Sequence, residues 1–393
     1  MHNKPLSYVP TNKVPVPRPS PYTPLVDDPC DSVTGWTVTG TVDLSRGKFR
    51  LSGANAGIHR ALTFPSQIPF LLSADVYLTY ASTTISALKL TNCSDIPIVS
   101  LGVQTFGKNR LSLNTPAGGN QRPISFIATG GIRVYLLFDP IYNIARGWFS
   151  DIDGFHYIGE VATVGSPAYF GINVGPEALN DMLLDDIIVT PMYAVCMGDS
   201  RVEGFPGHSP WPGMYGRYDD PTYSVSYNLY KIIGAYVVNA GQNGFDSTQN
   251  RNRFTDHVVK FKPKVVILSS SNFGTEDIAT FTSNYDYMAN LATTNGIKVL
   301  FVELPPCEAT LTDRYLAYNT WLDAYCKKKG YPLVKIYDLL SNGADELAAP
   351  YNSGDDVHLT NKGYQYIAQL ISEVLSELLF VQPECSGTIN TLF

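Results

Sequence analysis

The apolar residues of this 393-residue chain change their spacing near residue 192, and that change constrains the fold more than any single motif. From about 25 to 191 short apolar runs are cut by Gly, Asn, Asp and Pro: GWTVTGTVDL, KFRLSG, FLLSADVYLTY, ISALKLTN, IVSLGVQTF, RLSLN, IRVYLLFD, ARGWFSD, AYFGINVG and DDIIVTP. Alternation in Ala74, Val76 and Leu78, and in Leu88 and Leu90, gives these strands one buried face each, as packed antiparallel sheets require. Beyond 192, apolar strands at 193–197, 235–239, 264–268, 298–303 and 332–336 alternate with helical repeats at 223–234, 275–296, 312–330 and 360–379. Strands joined by helical crossovers run parallel, with helices covering the sheet. The expected organisation is a Pro-rich arm at 1–24 and an antiparallel, jelly-roll-like β-sandwich at 25–191. A three-layer α/β/α parallel-sheet domain at 192–380 and a tail at 381–393 complete it. The join at Thr190-Pro191-Met192 is too short for a loose linker, so the halves are expected to dock firmly.

Charge and composition remove several partners. The net charge is −7, and Lys and Arg are scattered, which leaves no electrostatic footprint for nucleic acid. No run of 18 apolar residues exists, and the polar, Pro-rich start lacks the charged and apolar regions of a secretory signal. Neither a membrane span nor a signal peptide is expected, and synthesis is expected in the cytoplasm. The six cysteines are far apart, form no CxxC and show no metal-like pairing with the six histidines. They read as free thiols; no metal and no cofactor is expected. Asp27, Asp28, Asp31, Asp185 and Asp186 could converge on calcium, although aspartates at strand ends are more often turn formers.

In an open α/β sheet ligands gather at the carboxyl ends of strands. There the chain places Gly198-Asp199-Ser200 after the first strand, Asn239 to Gly244 after the second and Ser270-Ser271-Asn272 after the third. Asp355-Asp356-Val357-His358 lies before the last helix. A serine hydroxyl needs a base to become a nucleophile, and imidazole suits that role near neutral pH. His358 can supply it. Asp355, three residues earlier, can fold back to accept from Nδ1, while the adjacent Asp356 should point elsewhere. The Ser200 amide, the Gly244 amide and the Asn272 side chain are candidate donors to an oxyanion. Plain structural readings exist for each: a strand-to-helix turn at Ser200, a residue ahead of the cap Thr360 at His358, a cap at Asn272, a turn at Gly244. His208 and His257 read as surface or loop residues. The long loop 203–222 carries Trp211, Tyr215, Arg217 and Tyr218, and its aromatics could stack on a sugar or pack on the sandwich. Arg201 could contact a substrate carboxylate or phosphate, or pair with a nearby acid.

These four blocks resemble the SGNH hydrolases, also called GDSL esterases, over residues 192–380. The resemblance implies roles for Ser200, Gly244, Asn272 and His358. Two departures stand out: Arg201 occupies a position where the family usually has Leu or Ile, and Ser270-Ser271-Asn272-Phe273 replaces Gly-x-Asn-Asp. Upstream, ADVYL, LSLN, RVYLLFD, GWFSD and DDIIVTP resemble concanavalin-like or laminin-G-like sandwiches, whose concave sheet often binds glycans. Together the resemblances imply a serine esterase that removes small acyl groups, O-acetyl above all, from a carbohydrate through an acyl-enzyme. The alternatives are an inactive glycan-binding or structural adhesin, and a lipase or thioesterase of the same family. The layout of arm, sandwich and esterase also resembles phage tail-spike or tail-fibre deacetylases, which would make the protein virion-associated; unconventional export fits too. A homo-oligomer is left open.

Overall fold

The computed structural model describes residues 26–30, 32–45, 48–64, 68–80, 85–104, 110–123, 132–151, 154–173, 181–206, 223–269, 276–307 and 311–380. The expected Pro-rich arm and tail lie outside the described residues. The N-terminal strands are β1 (Val26–Asp28), β2 (Thr37–Ser45), β3 (Lys48–Ala61), β4 (Phe70–Tyr80), β5 (Ile85–Thr91), β6 (Pro97–Gln104) and β7 (Arg110–Thr115). They continue as β8 (Gly118–Pro123), β9 (Ile132–Asp139), β10 (Ile144–Asp151), β11 (Gly154–Ala162), β12 (Tyr169–Asn173) and β13 (Asp181–Gly198). Their pairings are antiparallel in the order β11-β10-β9-β4-β13-β3-β12-β5-β6-β7-β8, with β2 beside β3 and β1 beside β13. The Asn120 side-chain amide donates to the Glu160 carbonyl at 2.6 Å, joining β8 to β11. The ladder therefore curls round one core, which includes Phe49, Leu72, Ala74, Val76, Leu88, Leu90, Phe138 and Phe170. This is a barrel-like antiparallel sheet, where the alternation had suggested two discrete packed sheets.

β13 is the element that positions the site. Its first part pairs antiparallel with β4 as far as Pro191; from Met192 it pairs in parallel with β14 (Tyr236–Gly241) and β15 (Val265–Ser269). The join between the halves is thus the middle of one 18-residue strand. Parallel pairing continues to β16 (Lys298–Val302) and β17 (Leu333–Val334), giving the order β14-β13-β15-β16-β17. Between these strands lie α1 (Ser200–Glu203), α2 (Val225–Ile233), α3 (Ser247–His257), α4 (Ile278–Thr294) and α5 (Thr312–Lys329), and after β17 come α6 (Tyr337–Leu340) and α7 (Asn361–Phe380). Alternate β13 residues face opposite ways, as a strand requires. Ala194 and Cys196 join Leu229 of α2 and Ile367 and Ile371 of α7 in one cluster. Val195 and Met197 join Phe254, Phe281, Tyr318 and Leu322 of α3, α4 and α5 in another.

That second cluster also takes in Leu71, Tyr135, Leu137 and Trp148 of the N-terminal half. Around it the Tyr142 hydroxyl donates to the Asp256 carbonyl at 2.8 Å, and its ring meets Phe261 edge-on. The halves are therefore docked through a dry, aromatic contact with polar edges. The described aspartates have partners within the protein. Asp28 accepts from the Trp36 indole and the Cys30 amide, Asp185 pairs with Lys48, and Asp186 with Arg133. The Asp27 side chain and Asp31 lie outside the described residues. Among the described residues no group of three or more His, Cys, Asp or Glu is placed to hold a metal ion. No helix among them is long and apolar enough to cross a membrane.

Candidate active site

Gly198 ends β13, and Asp199 caps the short helix α1: its backbone is extended and its carboxylate accepts the Arg201 amide at 2.9 Å. Ser200 is the first residue of that helix, so its own amide has no acceptor within the helix and points out of its start. α1 closes after one turn on Gly204, at φ +108, whose amide donates to the Ser200 carbonyl. The fold thus presents Ser200 on a tight strand-to-helix turn at the carboxyl edge of the parallel sheet.

The loop before α7 brings its partners to the same point. Ser200 Oγ lies 2.9 Å from His358 Nε2, and His358 Nδ1 lies 2.6 Å from Asp355 Oδ2. Asp355 Oδ1 accepts the amides of Val357 and His358 and the Ser353 hydroxyl, which fixes the carboxylate against the ring. Partial burial pushes the Asp355 carboxyl up, but the His358 amide and ring and the Val357 amide outweigh it and hold it down at about 2. Asp356 turns away and takes the Asn352 side-chain amide at 2.5 Å. Phe205 lays its ring 4.2 Å from the His358 ring, and its carbonyl accepts the Tyr364 hydroxyl at 2.6 Å. Ser200 and His358 are 1% and 8% exposed, so the pair works in a largely dry setting. With Asp355 ionised, Nδ1 carries the proton and Nε2 is free to accept one from Ser200 Oγ.

Gly244 sits in the turn after β14. The Gln242 amide donates to the Gly198 carbonyl there, the Asn243 amide to the Glu203 carboxylate and the Phe245 amide to the Gln242 carbonyl. Its φ of +78 requires glycine, whereas a Cβ would meet nothing within 4 Å, so close approach is not the reason for glycine at 244. Close approach belongs to Gly241: a Cβ there would stand 2.1 Å from the Glu203 amide nitrogen of α1. Arg253 of α3 donates from Nη2 to the carbonyls of Gly198 at 3.2 Å and Ala240 at 2.6 Å, tying the ends of β13 and β14 together under Ser200.

For Arg201 the structure shows pairing with a nearby acid. The arginine is 5% exposed, and its guanidinium forks onto Asp199, Nε to Oδ1 at 3.2 Å and Nη2 to Oδ2 at 2.5 Å. It also lies over the Tyr315 ring at 5.4 Å. Burial pushes its pKa down, but the adjacent Asp199 carboxylate outweighs burial and raises it. Nε and Nη2 are thus committed to Asp199, while Nη1 has no hydrogen-bond partner among the described residues. Asn272, Trp211, Tyr215, Arg217, Tyr218 and His208 lie outside the described residues. His257 is the half-buried last residue of α3. Sequence reasoning missed Glu203, Phe205 and Arg253. The one available signal was an acid three residues after Ser200, and nothing local says that it binds a loop 40 residues away.

Residues 196–366 match the model of the GDSL-like Lipase/Acylhydrolase family. None of the curated proteins matches the chain. Among solved structures, a G-D-S-L family protein from Desulfitobacterium hafniense is similar over 47% of this chain and 99% of its own, at 20% identity and a TM-score of 0.42. A GDSL-like lipase from Bacteroides thetaiotaomicron is similar over 48% of this chain and 89% of its own, at 23% identity and a TM-score of 0.40. A family two carbohydrate esterase from Clostridium thermocellum, solved with cellohexaose, is similar over 88% of this chain and 99% of its own, at 12% identity and a TM-score of 0.38.

Proposed function

We propose that the chain, whose residues 196–366 match the model of the GDSL-like Lipase/Acylhydrolase family, is a serine esterase that cleaves small acyl esters through an acyl-enzyme. The observation that carries this reading is the unbroken relay from Ser200 Oγ through His358 to Asp355. Ser200 Oγ attacks the ester carbonyl carbon while His358 Nε2 takes its proton; the tetrahedral intermediate expels the alcohol, which receives that proton from His358. Water, deprotonated in turn by His358, attacks the acyl-enzyme and releases the acid and free Ser200. Asp355 holds the ring in the tautomer that makes Nε2 the acceptor. The Ser200 and Gly244 amides and the Asn272 side chain are proposed donors to the oxyanion; loss of the Asn272 donor should cost about 3 kcal/mol in barrier.

The substrate we propose is an O-acetylated carbohydrate, with Trp211 and Tyr215 as proposed sugar contacts. What supports a large substrate is the docking of the halves through β13, which holds the N-terminal sheet at a fixed distance from Ser200. The test is hydrolysis of p-nitrophenyl acetate by the wild type and Ser200→Ala. Turnover should fall by about 10⁵ to 10⁶-fold, and equal rates would sink the esterase reading. Acetylated polysaccharides set against lipid esters and acyl thioesters then decide the substrate class; preference for either of the latter two would replace the carbohydrate.

A further inference from the structure

The outer face of β2, β3, β12 and β5, opposite the N-terminal core, carries a polar hollow. Along these strands Ile58, Phe170, Ile172, Leu88 and Leu90 turn inward to the core. The residues between them turn out. The register places Gly171 directly between His59 of β3 and Lys89 of β5, with Gly57 opposite Asn173. Gly171 is therefore ringed by His59 and Lys89 across the strands and by Tyr169 and Asn173 along its own. Two glycines at neighbouring positions leave a depression floored by backbone. It is permanent, since a Cβ on Gly57 would come 2.8 Å from the Ile172 carbonyl oxygen and one on Gly171 3.0 Å from that of Ile58.

The rim is chemically mixed. Lys89 Nζ and Asp95 Oδ1 stand 3.9 Å apart, too far for a firm hydrogen bond, so the cation and the anion both keep bonding capacity. The His59 ring meets Tyr169 edge-on at 5.6 Å. Thr91, which lines the same hollow, is 3% exposed, and its hydroxyl has no hydrogen-bond partner among the described residues. A buried hydroxyl without a partner is destabilising, and a bound hydroxyl would relieve that cost. The hollow has one cation against one anion, donors beside acceptors, and an aromatic ring at its edge. Among the described residues no large apolar side chain projects into it as an anchor. β3, β12 and β5, the strands that floor the hollow, are each paired on both sides, so none of the three offers an edge to an added peptide strand. Vicinal hydroxyls, each both donor and acceptor, fit such a rim.

We propose that this hollow is a saccharide-binding subsite distinct from Ser200, which holds the carbohydrate while the catalytic half acts on it. The proposal uses the carbohydrate part of the proposed function only to choose the ligands. Binding is read in the full chain carrying Ser200→Ala, which cannot turn over, by calorimetric titration with acetylated xylan oligosaccharides, chito-oligosaccharides and pectic oligosaccharides. Adding Lys89→Ala and Thr91→Val should weaken the best of these at least tenfold. The same two changes in the Ser200 chain should leave p-nitrophenyl acetate hydrolysis and the melting temperature unchanged. Should the double variant melt early, Lys89→Ala alone carries the comparison. Unchanged affinity, or no binding to any of the three classes, would overturn the subsite. Loss of esterase activity in the wild type would overturn only the catalytic reading and leave the titration interpretable.

Discussion

Asp199 and Arg201 stand on either side of Ser200, side chains 1% and 6% exposed, and neutralise each other out of reach of water. Removing one member of such a pair leaves an unpaired charge in a medium that cannot solvate it. Arg201→Leu should therefore destabilise the fold by about 3–5 kcal/mol, whereas Asp199→Asn combined with Arg201→Leu should recover most of the loss, because Asn still caps α1. Urea unfolding of Arg201→Leu, Asp199→Asn and the double variant against the wild type measures this cycle. KM for p-nitrophenyl acetate should stay near the wild-type value in the folded fraction; a selective rise in KM for anionic esters would instead return Arg201 to the substrate. The spacing of Asp355 and His358 was enough to foresee their pairing, since both lie on one turn of loop. The partner of Arg201 was not legible in the same way: an acid two residues away and a substrate anion are equivalent until packing decides which of them is buried beside it.

At the scale of elements, the glycines of the site divide by cause. Gly241→Ala would drive a methyl into the backbone of α1, which must shift and carry Ser200 with it. The expected result is a stability loss of about 3 kcal/mol together with a fall in kcat. Gly244→Ala meets open space and should cost only the strain of a left-handed residue, about 1–2 kcal/mol. Thermal melts and kcat for the two variants check the order, and the reverse order would mean that α1 yields easily.

α3 shows where periodicity gives no signal. Its sequence, STQNRNRFTDH, buries one large apolar residue, Phe254, and its helix rests on the Asp246–Gln249 capping box and on buried Ser247, Asn250 and Arg253. His257 closes that helix. Burial, followed by the nearby Arg253 charge, pushes its pKa down to about 4, with the Asp256 carboxylate opposing. Above its ordinary value of about 6.5 the ring is neutral in both states. As pH falls from there toward 4 the unfolded chain takes up a proton that the folded chain refuses, and stability is lost over that window. Melting temperatures from pH 7.5 to 4.5 should fall less steeply for His257→Gln than for the wild type. Parallel curves would place the acid sensitivity elsewhere.

Across the whole molecule, β13 makes one object of two patterns. Its antiparallel half belongs to the barrel-like sheet and its parallel half to the parallel sheet, and Trp148, Tyr135 and Leu137 complete the core on the parallel-sheet side. Unfolding either half would expose that aromatic contact, so the full chain should show a single calorimetric transition. Two well-separated transitions would show that the interface contributes little. The sequence by itself determined the change of period at 192, most strand and helix positions, and the turn and loop that carry Ser200, Asp355 and His358. All of these are encoded in residues within a few positions of one another. Only the tertiary structure decided that the join is a continuous strand and that the N-terminal ladder curls into a barrel-like sheet. It also decided that Arg201 answers Asp199, that Glu203 and Arg253 brace the site, and that Gly57 and Gly171 open a hollow on the outer face. Those outcomes depend on which surfaces meet across long stretches of chain, and side-chain spacing along the backbone holds no record of that choice.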